Sequence, residues 1–208
     1  MQTFGLSSVR RLAHLLRHRG LASLLLSTHE SLARGDGASF LGSVSERELE
    51  VLRRLVGVAA GYPGPIVEIG TLFGLTTQLI AMAKEPDRKL ITVDNYSWNP
   101  FQLPARSHQR FTRGALRFCT ERCNVELFDG SNVAFYAQYR GERPAMVFID
   151  ADHSYEGIVV DLAWARRMQI PVICGHDYAP RCPGVMRAVD EAFGARKQID
   201  ETIWSSVP

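Results

Sequence analysis

Five short apolar runs, alternating with stretches of helical periodicity, constrain this chain more than any other feature. The runs are Ile66 to Ile69, Leu90 to Val93, Val125 to Phe128, Met146 to Ile149 and Val172 to Cys174, and they read as strands. Between and after them, residues 75 to 84, 106 to 121, 131 to 139, 156 to 168 and 183 to 194 read as helices. Such alternation predicts an α/β fold, a doubly wound and mostly parallel sheet with helices on both faces. The tail from Lys197 to Val207 is rich in β-formers and adds one or two edge strands.

Upstream, Ser45-Glu46-Arg47-Glu48 is a capping box ahead of Leu49, Leu52, Val56 and Ala59. A helix over about 45 to 60 therefore leads into the main domain, residues 43–208. Residues 1–42 read as a helical appendage, because Val9, Leu12, Ala13, Leu16 and Leu24 recur at roughly helical spacing with arginines on other faces. Gly35-Asp36-Gly37 then breaks the chain. The expected use of such a helix is packing on the domain or in a homo-oligomer. A membrane-surface helix and a substrate lid are the other uses of a basic amphipathic segment.

The 208 residues, 46% hydrophobic and 22% charged, suit one α/β domain with an appendage. The 24 basic and 22 acidic residues are scattered, which argues against a nucleic-acid partner. The apolar stretch near the amino terminus is interrupted by His14, Arg17, His18 and Arg19 before it is long enough to span a membrane. Cys119, Cys123, Cys174 and Cys182 form neither paired CxxC motifs nor a dense framework. They read as reduced thiols, and the protein as cytoplasmic.

Ionisable groups concentrate where strands end. The fourth run continues as Asp150-Ala151-Asp152-His153-Ser154-Tyr155-Glu156-Gly157, and the fifth as Gly175-His176-Asp177-Tyr178. Two neighbouring strands thus converge on a metal or a proton. Asp152 reads as a helix cap and Glu156 as an acid favouring that helix's positive end. Tyr155 and Tyr178 read as packing at the site mouth, and Asp161 as partnered by an arginine or by backbone.

The first strand opens into Glu68-Ile69-Gly70-Thr71-Leu72-Phe73-Gly74-Leu75-Thr76-Thr77, where glycines let backbone approach a ligand and Thr76 or Thr77 can cap the next helix. The pattern is ExGxxxG and lacks the GxGxxG of a diphosphate binder; Glu68 would repel a diphosphate and welcome an ammonium. Asp94 ends the second strand, where a carboxylate can accept both hydroxyl protons of a ribose or simply start a turn. Asp129-Gly130-Ser131 offers a side-chain oxygen and an amide to an adenine edge, or a cap to the following helix. The loop Asn95 to Phe101 carries aromatics that either cover a ligand or pack.

Taken in order, the Glu68/Gly70/Gly74 loop, Asp94, Asp129-Gly130 and Asp150 resemble the successive motifs of class I S-adenosylmethionine-dependent methyltransferases. The similarity is closest to the bacterial family of macrocin-type sugar O-methyltransferases and proteins named after cephalosporin hydroxylation, with its EIGxxxGxST, FIDxxHSYExxxxDL and HDY patterns. It covers about residues 45 to 207. The resemblance implies a Rossmann-like fold and transfer of a methyl group to a hydroxyl of a small molecule, a sugar or a natural-product intermediate. It implies that Glu68, Gly70 and Thr71 line the methionine and sulfonium, with Gly74 and Thr76 in the same loop, that Asp94 holds the ribose, and that Asp129 and Gly130 flank the adenine. It also implies that Asp150 and Asp177 hold a magnesium ion and that His153 is the base.

His176 departs from that pattern, since relatives with a magnesium site tend to carry an acid there. Magnesium prefers an all-oxygen shell, whereas a set of Asp150, Asp177 and His176 would also suit manganese, iron or zinc, or else His176 orients a carboxylate. Two other classes stay open on residue types alone: a non-haem iron oxygenase using His153, His176 and one carboxylate, and a non-catalytic adenosylmethionine-binding protein.

Overall fold

The computed structural model describes residues 44–207, and the appendage expected over residues 1–42 lies outside them. Helix α1 (Glu46–Ala59) starts at the capping box: Ser45 Oγ accepts from the Glu48 amide at 3.3 Å, and Glu48 Oε2 accepts from the Ser45 amide at 2.6 Å. Strands β1 (Ile66–Ile69), β2 (Leu90–Asp94), β3 (Val125–Asp129), β4 (Met146–Ile149) and β5 (Val172–Gly175) lie where the apolar runs placed them. They pair in parallel, and the tail adds an antiparallel hairpin, β6 (Gln198–Asp200) and β7 (Ile203–Ser206), with β7 against β5. The sheet order is β3-β2-β1-β4-β5-β7-β6, so the topology reverses direction between β1 and β4.

The crossovers contain α2 (Leu75–Ala83), α3 (Ala105–Ala115), α4 (Arg117–Arg122), α5 (Asn132–Gln138), α6 (Tyr155–Arg167) and α7 (Pro183–Phe193). The single helix expected over 106 to 121 is two helices. Leu116 breaks it at φ −89° and ψ 4°, and its buried side chain fills the space beneath Gly74, where a Cβ would meet it at 2.7 Å.

Strand residues alternate between two cores. Val67, Ile69, Ile91, Val93, Val147 and Ile149 face α5, α6 and α7, whereas Ile66, Leu90, Met146, Phe148 and Val172 face α1, α2 and α4. Burial on both sides explains why the central runs, β1, β2, β4 and β5, are mostly apolar, whereas the outer strand β3 carries the exposed Glu126. A third cluster of Val44, Leu49, Phe73, Leu75, Leu79 and Phe111 supports the loop that follows β1.

Register decides where the chemistry goes. Ile69 pairs with Val93 and with Ile149, and Ile149 pairs with Gly175. The next residues, Gly70, Asp94, Asp150 and His176, therefore form one row along the carboxyl edge of the sheet. Among the described residues no helix is long and apolar enough to cross a membrane, and the four cysteines are free thiols.

Candidate active site

Gly70 lets two strand ends touch. Its φ of +100° is open to glycine, and a Cβ there would overlap the Asp150 carbonyl. Glu68, fully buried one turn of the pleat earlier, accepts from Thr77 Oγ1 at 2.5 Å and from Thr92 Oγ1 at 2.6 Å, both on Oε2, while Oε1 has no hydrogen-bond partner. Burial pushes this carboxyl up to about 8, and the nearby charges of Asp150 and Asp94 push the same way against the two threonine bonds. Three acids thus share one end of the sheet, a site that favours a cation.

Asp94 does more than face outward. Its Oδ2 accepts from the Thr71 amide at 3.0 Å and the Leu72 amide at 2.7 Å, and its Oδ1 from the Tyr96 amide at 2.6 Å. The carboxylate therefore pins the loop after β1. Leu72 sits at φ +49°, and its carbonyl accepts from His108 Nε2 at 2.8 Å and Thr112 Oγ1 at 2.6 Å. Phe73 is buried against Phe101, His108 and Phe111. What the glycines suggested as a cradle is a loop clamped at both amide and carbonyl, and His108 and Thr112 were invisible to motif reading because they lie on α3.

At the other end of the row, His153 Nε2 lies 3.5 Å from Asp150 Oδ1 and 3.2 Å from Asp177 Oδ2. Hydrogen bonding to Asp150 raises the pKa of this half-exposed imidazole, against a smaller opposing effect of burial. His176, wholly buried, turns Nδ1 toward Asp177 Oδ2 at 3.5 Å and Asp150 Oδ1 at 3.8 Å. Its Nε2 faces Glu48 Oε1 at 3.2 Å and Thr202 Oγ1 at 3.0 Å. Burial disfavours the His176 cation, but Asp177, Glu48 and Asp150 outweigh it and lift the imidazole to about 10. Burial likewise opposes the Glu48 charge, yet His176, the Ser45 amide and Thr202 hold it at about 2. Asp177, at φ +62°, is also paired with Arg181, and Cys182 Sγ stands 3.9 Å from His153 Nδ1.

Several smaller expectations are corrected. Neither Thr76 nor Thr77 caps α2: Gly74 occupies the cap position without a side-chain bond, and Thr77 serves Glu68. Ser154, not Asp152, caps α6, because Asp152 accepts from the Ser154 amide and builds the turn before it. Asp161 takes Asn132 and Tyr136 as partners, not an arginine or backbone. Tyr155 and Tyr178 reach Glu191 and Asp190 on α7. Asp129 is engaged by Tyr96 and Arg113, and Ser131 caps α5 beside Gly130. In the Asn95 to Phe101 loop Tyr96 and Phe101 pack inward and Trp98 is exposed. A cavity of about 780 Å³ opens near the amino ends of β1 to β3, lined by Lys89, Glu126 and Arg140 among others, and holds none of the predicted site residues.

A family model described as a methyltransferase domain matches residues 67–178, more than half of the chain and the whole row of strand ends. The chain belongs to this methyltransferase family. No curated protein sequence matches it at a significant level. The methyltransferase shares its fold with an O-methyltransferase from Bacillus cereus in complex with SAH, at a TM-score of 0.63 and 21% identity over 89% of this chain and 91% of that one. It is also similar to the O-methyltransferase TomG of tomaymycin synthesis from Streptomyces achromogenes, in complex with SAM, at 0.61 and 20% over 88% and 89%. A TDP-rhamnose 3'-O-methyltransferase of calicheamicin biosynthesis aligns at 0.59 and 14% over 89% and 93%. Likeness at these identities speaks for the methyltransferase's fold.

Proposed function

We propose that this methyltransferase takes its methyl group from S-adenosylmethionine and delivers it to a hydroxyl of a small molecule, a sugar or a natural-product intermediate, in the cytoplasm. The observation that carries the proposal is the row at the carboxyl edge: Asp94 and Asp150 supply negative charge where a sulfonium would lie, the buried Glu68 carboxyl stands behind them, and His153 lies beside Asp150 and Asp177 at the end of the row. The donor's methionine end is assigned to Glu68, Gly70 and Thr71, with Gly74 and Thr76 in the same loop. Its ribose is assigned to Asp94, which has two amides on Oδ2 and one on Oδ1 and so retains acceptor capacity on Oδ1. Its adenine is assigned to the Asp129-Gly130 turn.

In the reaction the bond from sulfur to methyl breaks and a bond from acceptor oxygen to methyl forms, with the electron pair staying on sulfur and the hydroxyl proton leaving. Asp150 and Asp177 hold His153 with its proton on Nε2, which makes Nδ1 the atom that takes the acceptor's proton. The same carboxylates then stabilise the imidazolium. Donor and acceptor still have to be aligned for in-line displacement, which a clamped loop favours. The four free thiols agree with a reducing compartment.

For a divalent metal, the fit rests on His176. Its Nδ1 is buried without a hydrogen-bond partner and faces both carboxylates, while Glu48 and Thr202 occupy Nε2. That is the arrangement of a ligand held by an outer carboxylate, so Asp150, Asp177 and His176 fit a nitrogen-accepting metal better than magnesium. A metal held there supplies Lewis acidity that makes the acceptor hydroxyl easier to ionise.

The deciding experiment is calorimetric titration with S-adenosylmethionine, with NADH as the negative control, repeated with chelator and with added magnesium, manganese or iron. Micromolar donor binding is expected. No donor binding under any condition would sink the proposal.

A further inference from the structure

Cys182 is conspicuous in the sequence only as one of four thiols, yet the fold carries it to His153. One donor atom each from Cys182, His153 and Asp177 lies within 4.8 Å of the other two. The approach is built into the backbone. Gly184, in the first turn of α7, packs so closely that a Cβ there would stand 2.5 Å from the Tyr155 amide nitrogen and 2.7 Å from the His153 carbonyl oxygen. Any larger residue would push α7, and Cys182 before it, away from the loop that bears His153.

We infer that Cys182, His153 and Asp177 form a capture site for a thiophilic divalent metal of the zinc class. It differs from the set of Asp150, His176 and Asp177 by its sulfur ligand and shares only Asp177 with it. Zinc takes thiolate, imidazole and carboxylate ligands in tetrahedral sites, whose sulfur-to-nitrogen edge is about 3.6 Å. The observed 3.9 Å needs a shift of a few tenths of an ångström. Because Asp150, outside the set, faces Nε2 at 3.5 Å and holds its proton there, the lone pair of Nδ1 lies on the sulfur side, the order in which an outer carboxylate supports a metal-bound imidazole.

The buried neighbour points the same way. His176 Nδ1, buried and without a hydrogen-bond partner, lies 3.5 Å from Asp177 Oδ2, so the shared carboxylate has an unpartnered polar atom beside it. Arg181 pairs with the other Asp177 oxygen, but its side chain is 62% exposed and can release that oxygen into water. Binding breaks the S–H bond of Cys182 and sends its proton to solvent, with no change of oxidation state. On the function proposed above, a metal at this place occupies the lone pair that would accept the acceptor's proton, and so blocks turnover while leaving the donor's place open.

The full chain, stripped of metal and exchanged into chelator-free buffer, is titrated with cadmium while the ultraviolet thiolate-to-cadmium charge-transfer band is followed, and with zinc against a chromophoric chelator. One saturating equivalent is expected, with the band lost in Cys182→Ser and zinc affinity lowered about 10- to 100-fold in both Cys182→Ser and His153→Gln. Circular dichroism confirms that each variant is folded, and the use of two separate loops protects the result against failure of one. A band that survives Cys182→Ser and vanishes in the Cys119→Ser, Cys123→Ser double variant would overturn the inference. So would undiminished zinc affinity in His153→Gln. Donor calorimetry with and without zinc separates the two proposals: no donor binding in either condition defeats the methyltransferase mechanism and leaves the metal result standing.

Discussion

Glu48 and His176, 128 residues apart, meet at 3.2 Å and join the helix that enters the sheet to the end of its fifth strand. The two carboxylate oxygens divide the work. Oε2 closes the capping box on the Ser45 amide, and Oε1 faces His176 while accepting from the hydroxyl and amide of Thr202. One side chain thereby starts a helix and orients an imidazole.

Glu48→Gln is expected to lower stability by about 1.5–3 kcal/mol near pH 6, the range for a hydrogen bond to a charged group. The sign of the pH dependence follows from the two shifts. The contribution of Glu48 is complete above the ordinary value of 4.5 and is lost as pH falls toward about 2; that of His176 is complete below 6.5 and is lost as pH rises toward about 10. Thermal unfolding across pH should show a wild-type plateau from this pair between 4.5 and 6.5, flattened in the variant. A variant with the wild-type profile would refute the coupling.

Glu68 predicts the opposite slope. The folded state holds its proton to about 8 while the unfolded chain releases it near 4.5, so its contribution makes stability fall as pH rises between those values. Glu68→Gln should remove that decline and raise the melting temperature at pH 8. Above pH 8, where Glu68 ionises, the same change removes negative charge facing the proposed sulfonium, and calorimetry there should show donor affinity lower by about tenfold, or about 1.4 kcal/mol.

Asp94→Ala is expected to weaken donor binding and, by releasing three amides, to destabilise the fold by about 1–3 kcal/mol. His153→Ala should spare donor affinity and reduce turnover by about 100- to 10,000-fold, whereas Asp150→Ala, which also takes charge from the sulfonium, should reduce both. Unchanged donor affinity in Asp94→Ala would overturn the ribose assignment.

His108→Ala leaves the Leu72 carbonyl with Thr112 as its remaining side-chain donor and opens a space beside Phe73. With Leu72 held at positive φ by these contacts, hydrogen exchange at the amides of residues 71 to 73 should accelerate by tenfold or more while the core strands stay protected.

The central strands β1, β2, β4 and β5 were legible because they are buried on both faces, so their runs are mostly apolar; the ends of Ile66–Ile69 and Met146–Ile149 were read to the residue. The row of Gly70, Asp94, Asp150 and His176, with Asp177 next to it, was legible for the same reason, since each lies within three residues of the end of a run. Long-range partners were not. Glu48 advertises a local capping role, His108 and Thr112 sit in a helix without a motif, and Cys182 meets His153 through a glycine two residues away. The break at Leu116 also escaped, because its cause is a hole beneath Gly74 that only the folded chain contains.

Gly70 separates the loop after β1 from the acid after β4 by bare main chain, with no side chain between them. The spacing of these two walls is consequently fixed by peptide geometry and cannot be tuned by rotamer choice or by substitution. Divergence of acceptor preference from this sequence, natural or engineered, has to run through the outer loops, because the partition at Gly70 can neither thicken nor thin.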